Sequence, residues 1–398
     1  MRFLTQPIEP LEDPLSRDPD TVWMSQEVSL WGWGEAARIH PGTGRLRFEA
    51  AHQQFSDLAS TVDVDNAVGG SATGPVGFCS FTFADAASES VVVVPQVVVG
   101  RRGNEWWMTT VDDATLPLPV ASPPEADRAR YAGSSVPEML WLEAVAEAVA
   151  RIRRGDLDKV VMARDYAVWS RHPFHSPWLL RHLANRFPAC HVFRVAGLVG
   201  ASPELLVRRM GRHLESLVLA GSAPVSTDAD EDARARTALI GSEKDQWEHR
   251  LAVVSVTEAL TGRCEAIEVD PSPSVIRLDN VQHLATAVTA RLADDAAVLV
   301  LAGLLHPTAA VGGTPTEDAV RLIGELEGMD RGRYAGPVGW VDANGDGEFA
   351  IALRCAELSG ARARLFAGAG VVSDSLPEAE LEETRFKLLA MMGALEAT

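Results

Sequence analysis

The chain has 398 residues, 46% of them apolar, and a formal net charge of −19. The length suits two or three domains or one large α/β domain, and the apolar share argues against disorder. The acidic balance argues against nucleic acid or an anionic membrane as a partner, so an anionic ligand would need a few basic groups acting locally. Cys79, Cys190, Cys264 and Cys355 are scattered with no C-x-x-C, so neither a disulfide framework nor a zinc site is expected. The sequence does not open on a signal-peptide core, and no apolar run approaches a membrane span. The expectation is a soluble cytoplasmic protein.

Residues 1–115 hold short β-like runs, "SLWGW", "RLRFEA", "VVVVPQVVVG" and "EWWMTTV", set between Gly, Asp and Ser turns. Residues 116–137 are rich in Pro and Ser and read as a surface connection. Leu142, Val145, Val149 and Ile152 then step by three and four, which predicts an amphipathic helix stopped at Gly155. "DKVVMARDYAV" follows as a strand, with Lys159, Val161 and Ala163 on one face and Val160, Met162 and Arg164 on the other. Strands and helices alternate from there to the end, without an internal repeat. Two motifs fail on inspection. "DANGDG", from Asp342, opens like a calcium loop but has Leu353 where a bidentate glutamate is needed, so it reads as a turn between strands. "GAG" at 368–370 has Ser373 where a dinucleotide fingerprint needs its third glycine.

Three constellations carry chemistry. Ser242, followed three residues on by Asp245, predicts a helix start, with Trp247, Leu251 and Val254 as its apolar stripe. Asp245 and Glu248 share one face of that helix; Glu380 and Glu383 share a face of a later one, with Lys387 four residues beyond. Two such pairs could hold one hard divalent cation, and oxygen-only ligation favours Mg²⁺. The competing reading is ordinary solvated acids near helix N-termini. Next, "LAGSAP" (219–224) and "LFAGAGVV" (365–372) end strand-like runs in small residues that let a carboxylate approach backbone N–H groups. Arg354, read as lying on a strand in "IALRCAEL", has a fork suited to a carboxylate; a structural ion pair is its alternative. Finally, only three of the 36 basic residues are lysines: Lys159, Lys244 and Lys387. In a dry site a lysine can serve as a general base, whereas an arginine stays charged. Glu204, in "GASPELLVRR", could be the matching acid.

Taken together, "DKVVMAR", "GASPELLV", "LAGSAP", "SEKDQWEH", "VQHLATAV", "LLHPTAAVGGTP", "YAGPVGW", "RCAEL" and "LFAGAGVVSDSLPEAELEETRFK" resemble, in order, the chorismate-utilising enzymes of the anthranilate synthase component I type. The resemblance covers roughly residues 135–395. It implies an α/β (α+β) fold: a single large domain with two mostly antiparallel sheets packed between helices. Residues 1–130 would be a motif-poor part of the same fold, and 131–398 the chorismate-binding catalytic region. The implied reaction adds a nucleophile at C2 of chorismate and expels the C4 hydroxyl, with Mg²⁺ on the C1 carboxylate. Matched residue by residue, Glu248 and Glu383 stand at the metal-ligand positions, with Asp245 and Glu380 as acidic neighbours. Gly221, Ser222, Arg354, Gly368 and Lys387 stand around the substrate carboxylates. His283 and Tyr334 are wall positions, and Glu204 matches the acid that protonates the leaving hydroxyl.

Lys159 selects the branch that the resemblance implies. Aminating members resemble "FQVV" at this point, with a glutamine, because ammonia is already a nucleophile. Water needs a base to take its proton. Ala220 stands where aminodeoxychorismate synthases carry a lysine nucleophile. The implied activity is therefore that of an isochorismate synthase serving siderophore or menaquinone synthesis. A salicylate synthase is the alternative; an aminating synthase or a non-catalytic binding protein on this fold is less favoured. The implied partners are chorismate alone, without nucleic acid, membrane or a glutamine amidotransferase, and the chain is read as a monomer.

Overall fold

The strands among the described residues all belong to two large sheets, and the main core takes side chains from both. The computed structural model describes residues 1–87, 89–120, 129–279 and 281–396. Among the described residues one sheet has 13 strands and the other 10. Arg2–Pro7 pairs in parallel with Asp63–Asn66, and the other pairings are antiparallel. The early residues are built into both sheets. Thr21–Met24 and Ser29–Trp33 lie in the first, Val76–Ser80 and Val91–Val94 in the second. Side chains such as Phe78, Trp340, Phe349 and Val160 fill the main core.

The strand Lys159–Trp169 of the first sheet runs antiparallel to Arg362–Val371. Val161 stands opposite Gly370, and Ala163 opposite Gly368. Opposed residues point to the same side, so both glycines share the face of Lys159. In the second sheet His213–Pro224 pairs with Val281–Leu292. The register slips between Ala220 and Ser222, leaving Gly221 as a bulge at φ +75°. That left-handed conformation suits glycine and sets Ser222 directly across from His283.

The chain passes between the sheets twice near these strands. Leu198–Ser202 in the first sheet leads through Pro203 and Glu204 into Leu205–Met210 in the second. Gly347–Ile351 in the second leads back through Arg354 into Cys355–Ser359 in the first. The crossings are bonded to each other: Ile351 N–H donates to Glu204 O at 3.2 Å, and Ala201 N–H to Arg354 O at 3.1 Å.

Several expectations need correcting. "RLRFEA" falls mostly within the helix Arg47–Thr61, because Phe48, Ala51 and Phe55 step by three and four and bury one face. Arg354 is on a crossing and not a strand, at φ +46°. The helix Glu243–Leu260 begins where Ser242 predicts, with Ser242 Oγ accepting from Asp245 N–H at 3.2 Å. Its buried stripe is different, though. Trp247 and Val254 are exposed, while Glu248, His249, Ala252, Val256 and Leu260 face inward. The helix turns its carboxylate-bearing face to the sheets. Of the surface connection 116–137, residues 121–128 lie outside the described residues; Arg130–Gly133 adds an edge strand to Lys159–Trp169. The predicted helix is Glu138–Arg153, with Val145, Val149 and Ile152 buried and Leu142 half-buried. "DANGDG" is the turn of a hairpin between Pro337–Asp342 and Gly347–Ile351.

Candidate active site

Both crossings, the paired glycines and the bulge open onto one cleft between the sheets. Glu204, Gly221, Ser222, Glu248, His283, Tyr334, Arg354, Gly368, Gly370 and Lys387 line it, with Val161, Pro203, Val311 and Leu353 among its apolar walls. It offers about 500 Å³ outside the protein atoms, mouth included.

Glu204 is buried. Burial lifts its carboxyl to about 8, against the opposing pull of the Leu219 N–H and of the Lys159, Arg354 and Lys387 charges. At neutral pH it keeps its proton, the state a general acid requires. Arg354 faces the same cleft, also buried, and donates from Nη2 to His283 Nε2 at 2.8 Å. Arginine can only donate, so His283 carries its proton on Nδ1. From there it reaches Gly221 O and Ser222 Oγ, both at 3.1 Å. Burial, then the charges of Arg354 and Lys387, hold this imidazole well below its ordinary pKa and therefore neutral. The buried Arg354 Nε has no partner among the described residues. A guanidinium oriented by a neutral histidine, with a donor to spare, fits an anionic ligand such as a carboxylate. Tyr334 stacks on Phe366 with ring centroids 5.0 Å apart and stands beside Gly368, whose Cβ would lie 3.0 Å from the phenol oxygen.

The four carboxylates gather beside this cleft, and all three lysines of the chain gather with them. Lys159 Nζ lies 3.1 Å from Glu248 Oε1, an ion pair without hydrogen-bond geometry at the ammonium. Lys244 Nζ donates to Glu380 Oε1 at 2.6 Å. Lys387 Nζ donates to Glu383 Oε1 at 2.6 Å and to Gly368 O at 2.8 Å. The acids repel one another. Burial raises Asp245, and Glu248 and Glu383 raise it further; burial and then Glu383 raise Glu380. Glu248 is the exception. Burial works to raise it too, but Lys159, its ion-pair partner, with help from Lys387 and Lys244, holds it below the usual carboxylate range. Among the described residues no three acidic, histidine or cysteine side chains converge on one point as ligands. The chemistry of the set nonetheless fits a hard divalent cation: its donors are all carboxylate oxygens, and their mutual repulsion is what a cation relieves.

Of the residues proposed from sequence, Glu204, Gly221, Ser222, Glu248, His283, Tyr334, Arg354, Gly368 and Lys387 line the cleft. Lys159 is fully buried behind the lining, in contact with it through Glu248. Asp245 and Glu383 stand to the side, next to the lining residues Gly221 and Lys387, and Glu380 lies farther out, paired with Lys244. Two residues were missed. Lys244 was marked only by the rarity of lysine. Gly370 was in the quoted "GAG" and shares a strand face with Gly368, which was the signal available.

Gly370 carries the closest constraint in the site. A Cβ there would lie 2.0 Å from Glu248 Oε1, so the carboxylate occupies the space that a side chain would take. Gly370 is not in the left-handed region, so alanine costs no backbone strain here. Gly370→Ala should therefore displace Glu248 and loosen its pair with the buried Lys159, at some cost in melting temperature. Turnover should fall about 10²-fold, the scale expected of a misplacement near 1 Å. Wild-type turnover in a folded Gly370→Ala would show that the position of Glu248 is not critical.

A buried protonated carboxyl beside an oriented guanidinium, in a cleft between two sheets, defines an enzyme site for acid–base chemistry on a small anion. The chain belongs to the family of chorismate binding enzymes, whose sequence profile matches residues 119–396. It is 35% identical to the salicylate biosynthesis isochorismate synthase of Pseudomonas aeruginosa, over 99% of this chain and 89% of that one. It is 42% identical to isochorismate synthase DhbC of Bacillus subtilis, over 63% of this chain and 66% of the relative. Its fold is similar to a putative 2,3-dihydroxybenzoate-specific isochorismate synthase, DhbC, from Bacillus anthracis, with a TM-score of 0.82, 30% identity and coverage of 96% and 99%. Among the described residues no helix is long and apolar enough to cross a membrane.

Proposed function

We propose that this chain is an isochorismate synthase that adds water at C2 of chorismate and expels the C4 hydroxyl, feeding siderophore or menaquinone synthesis. The observation that carries the reading is Glu204: a carboxyl that keeps its proton to about 8, within a cleft that also presents Arg354 and Lys387 to an anion. Arg354, with His283 behind it, and the backbone around Gly221 and Gly368 hold the substrate carboxylates. Glu204 gives its proton to the departing C4 hydroxyl, which leaves as water. Lys159, acting as the neutral amine and not as the ammonium that pairs with Glu248, takes a proton from the water that bonds to C2. One water enters and one leaves, so substrate and product are isomers and the reaction runs both ways. Glu248 and Glu383, with Asp245 and Glu380 nearby, would hold Mg²⁺, whose positive charge would then stabilise the C1 carboxylate. Apolar Val161, Val311 and Leu353 keep bulk water from the ring.

Product analysis tests this reading. Chorismate with Mg²⁺ should yield isochorismate, and isochorismate should return chorismate. Salicylate with pyruvate as the main products would move the chain to the salicylate synthases; anthranilate in ammonium buffer would move it to the aminating branch. No turnover of chorismate would leave a binding protein.

A further inference from the structure

We infer that Lys244 is a positioning residue, a clasp that joins the two halves of the site. The helix Glu243–Leu260 rests on His213–Pro224 and Val281–Leu292, strands of the second sheet. The helix Pro377–Glu396 rests on Arg362–Val371, a strand of the first. Glu248 and Glu383 therefore reach the site from different layers, and the fit between those layers sets their separation. Two ion pairs span it. Lys159, on the first sheet, meets Glu248 at 3.1 Å; Lys244, on the helix of the second, meets Glu380 at 2.6 Å. The Lys159 pair is at the inner end, where Lys159 is fully buried and the Glu248 side chain is 11% exposed. The Lys244 pair is at the outer end, where the Lys244 side chain is 29% exposed and that of Glu380 only 1%.

That asymmetry gives the clasp its direction. A buried carboxylate left without its counter-charge is strongly unfavourable, so Glu380, while it is ionised, must either keep Lys244 or move. Glu380 lies one turn before Glu383 on the same helix, so a shift of Glu380 carries Glu383 with it. Simple electrostatics predicts something different: removing one positive charge from beside four carboxylates would leave the helices in place and draw a cation more strongly. For its effect on catalysis the inference rests on the proposed isochorismate synthase activity; for the join between helices it does not.

The test compares the wild-type chain with Lys244→Met and Lys244→Arg. Hydrogen–deuterium exchange in metal-free buffer reads the join, and chorismate turnover with Mg²⁺ reads its consequence. In Lys244→Met the amides from Gln246 and from Glu380 onward, over the first turns of the two helices, should exchange about tenfold faster. Those of Arg362–Val371 should be unchanged. Turnover number should fall about tenfold with the KM for chorismate little altered, because the substrate contacts are elsewhere. Lys244→Arg, which keeps the charge and the reach, should restore both. Unchanged exchange at both helix starts overturns the clasp, and so does faster exchange with wild-type turnover. If the wild-type chain does not convert chorismate, the functional reading falls and the exchange data decide the clasp alone.

Discussion

Glu204→Gln should lower the turnover number in both directions by about 10²–10⁴-fold, the usual worth of one positioned acid or base. The amide fills the same volume and accepts the Leu219 N–H but has no proton to give. KM should change little, because Arg354, Lys387 and the glycine backbone hold the carboxylates. The pH dependence makes the test specific. The carboxyl is raised to about 8, so its acid form predominates below that value and is lost above it. In the forward direction Glu204 must start protonated, so its limb should fall as pH rises through about 8. In reverse it must start ionised, so the same limb should rise. Both limbs should vanish in Glu204→Gln. A matching test applies on the other side of the ring, where Lys159→Arg keeps the charge but removes the base. Turnover within a few-fold of wild type for Lys159→Arg near neutral pH would falsify proton abstraction by Lys159 and leave it the role of a charge.

Chelation should abolish activity, and Mg²⁺ should restore it. The basis is the crowding of Asp245, Glu248, Glu380 and Glu383, in which three lysines face four carboxylates. Glu248→Ala and Glu383→Ala should each remove most of the rate, about 10²-fold or more, since each takes away a donor and also frees a lysine to settle elsewhere. Calorimetric titration with Mg²⁺ separates the two losses. A variant that still binds the ion but does not turn over has lost geometry; one that binds none has lost the ligand. Full activity of the wild-type chain in metal-free buffer would eliminate the site.

The parts of this protein that a single sequence determined are local. Ser242 and the acids after it mark a helix start because a side-chain oxygen satisfies an orphan N–H within three residues. The alternation of "DKVVMARDYAV" makes a strand because side chains there point to opposite faces. The i, i+3 spacing of Asp245 with Glu248 and of Glu380 with Glu383 puts each pair on one helix face whatever surrounds it. Ordered together, these segments carried the family resemblance and with it the two-sheet fold. What the sequence could not determine depends on contacts between distant segments. Trp247 and Val254 look like a buried stripe, but the Glu248 face of that helix is buried instead, because Lys159 on the first sheet, with Lys387 and Lys244, is there to receive its charge. Phe48 and Phe55 belong to a helix because the apolar positions around them find a core. Arg354 left its expected strand because the chain must cross between the sheets at that point. Glu204 is an acid only because the other crossing buries it, and burial alone raises a carboxyl that would otherwise ionise in water. Gly370 matters only because Glu248, more than a hundred residues away in the chain, occupies the place of its missing side chain. Spacing along the chain decides which side chains share a face; only the packing of two separate sheets decides which of them lose their water and whose charge they meet.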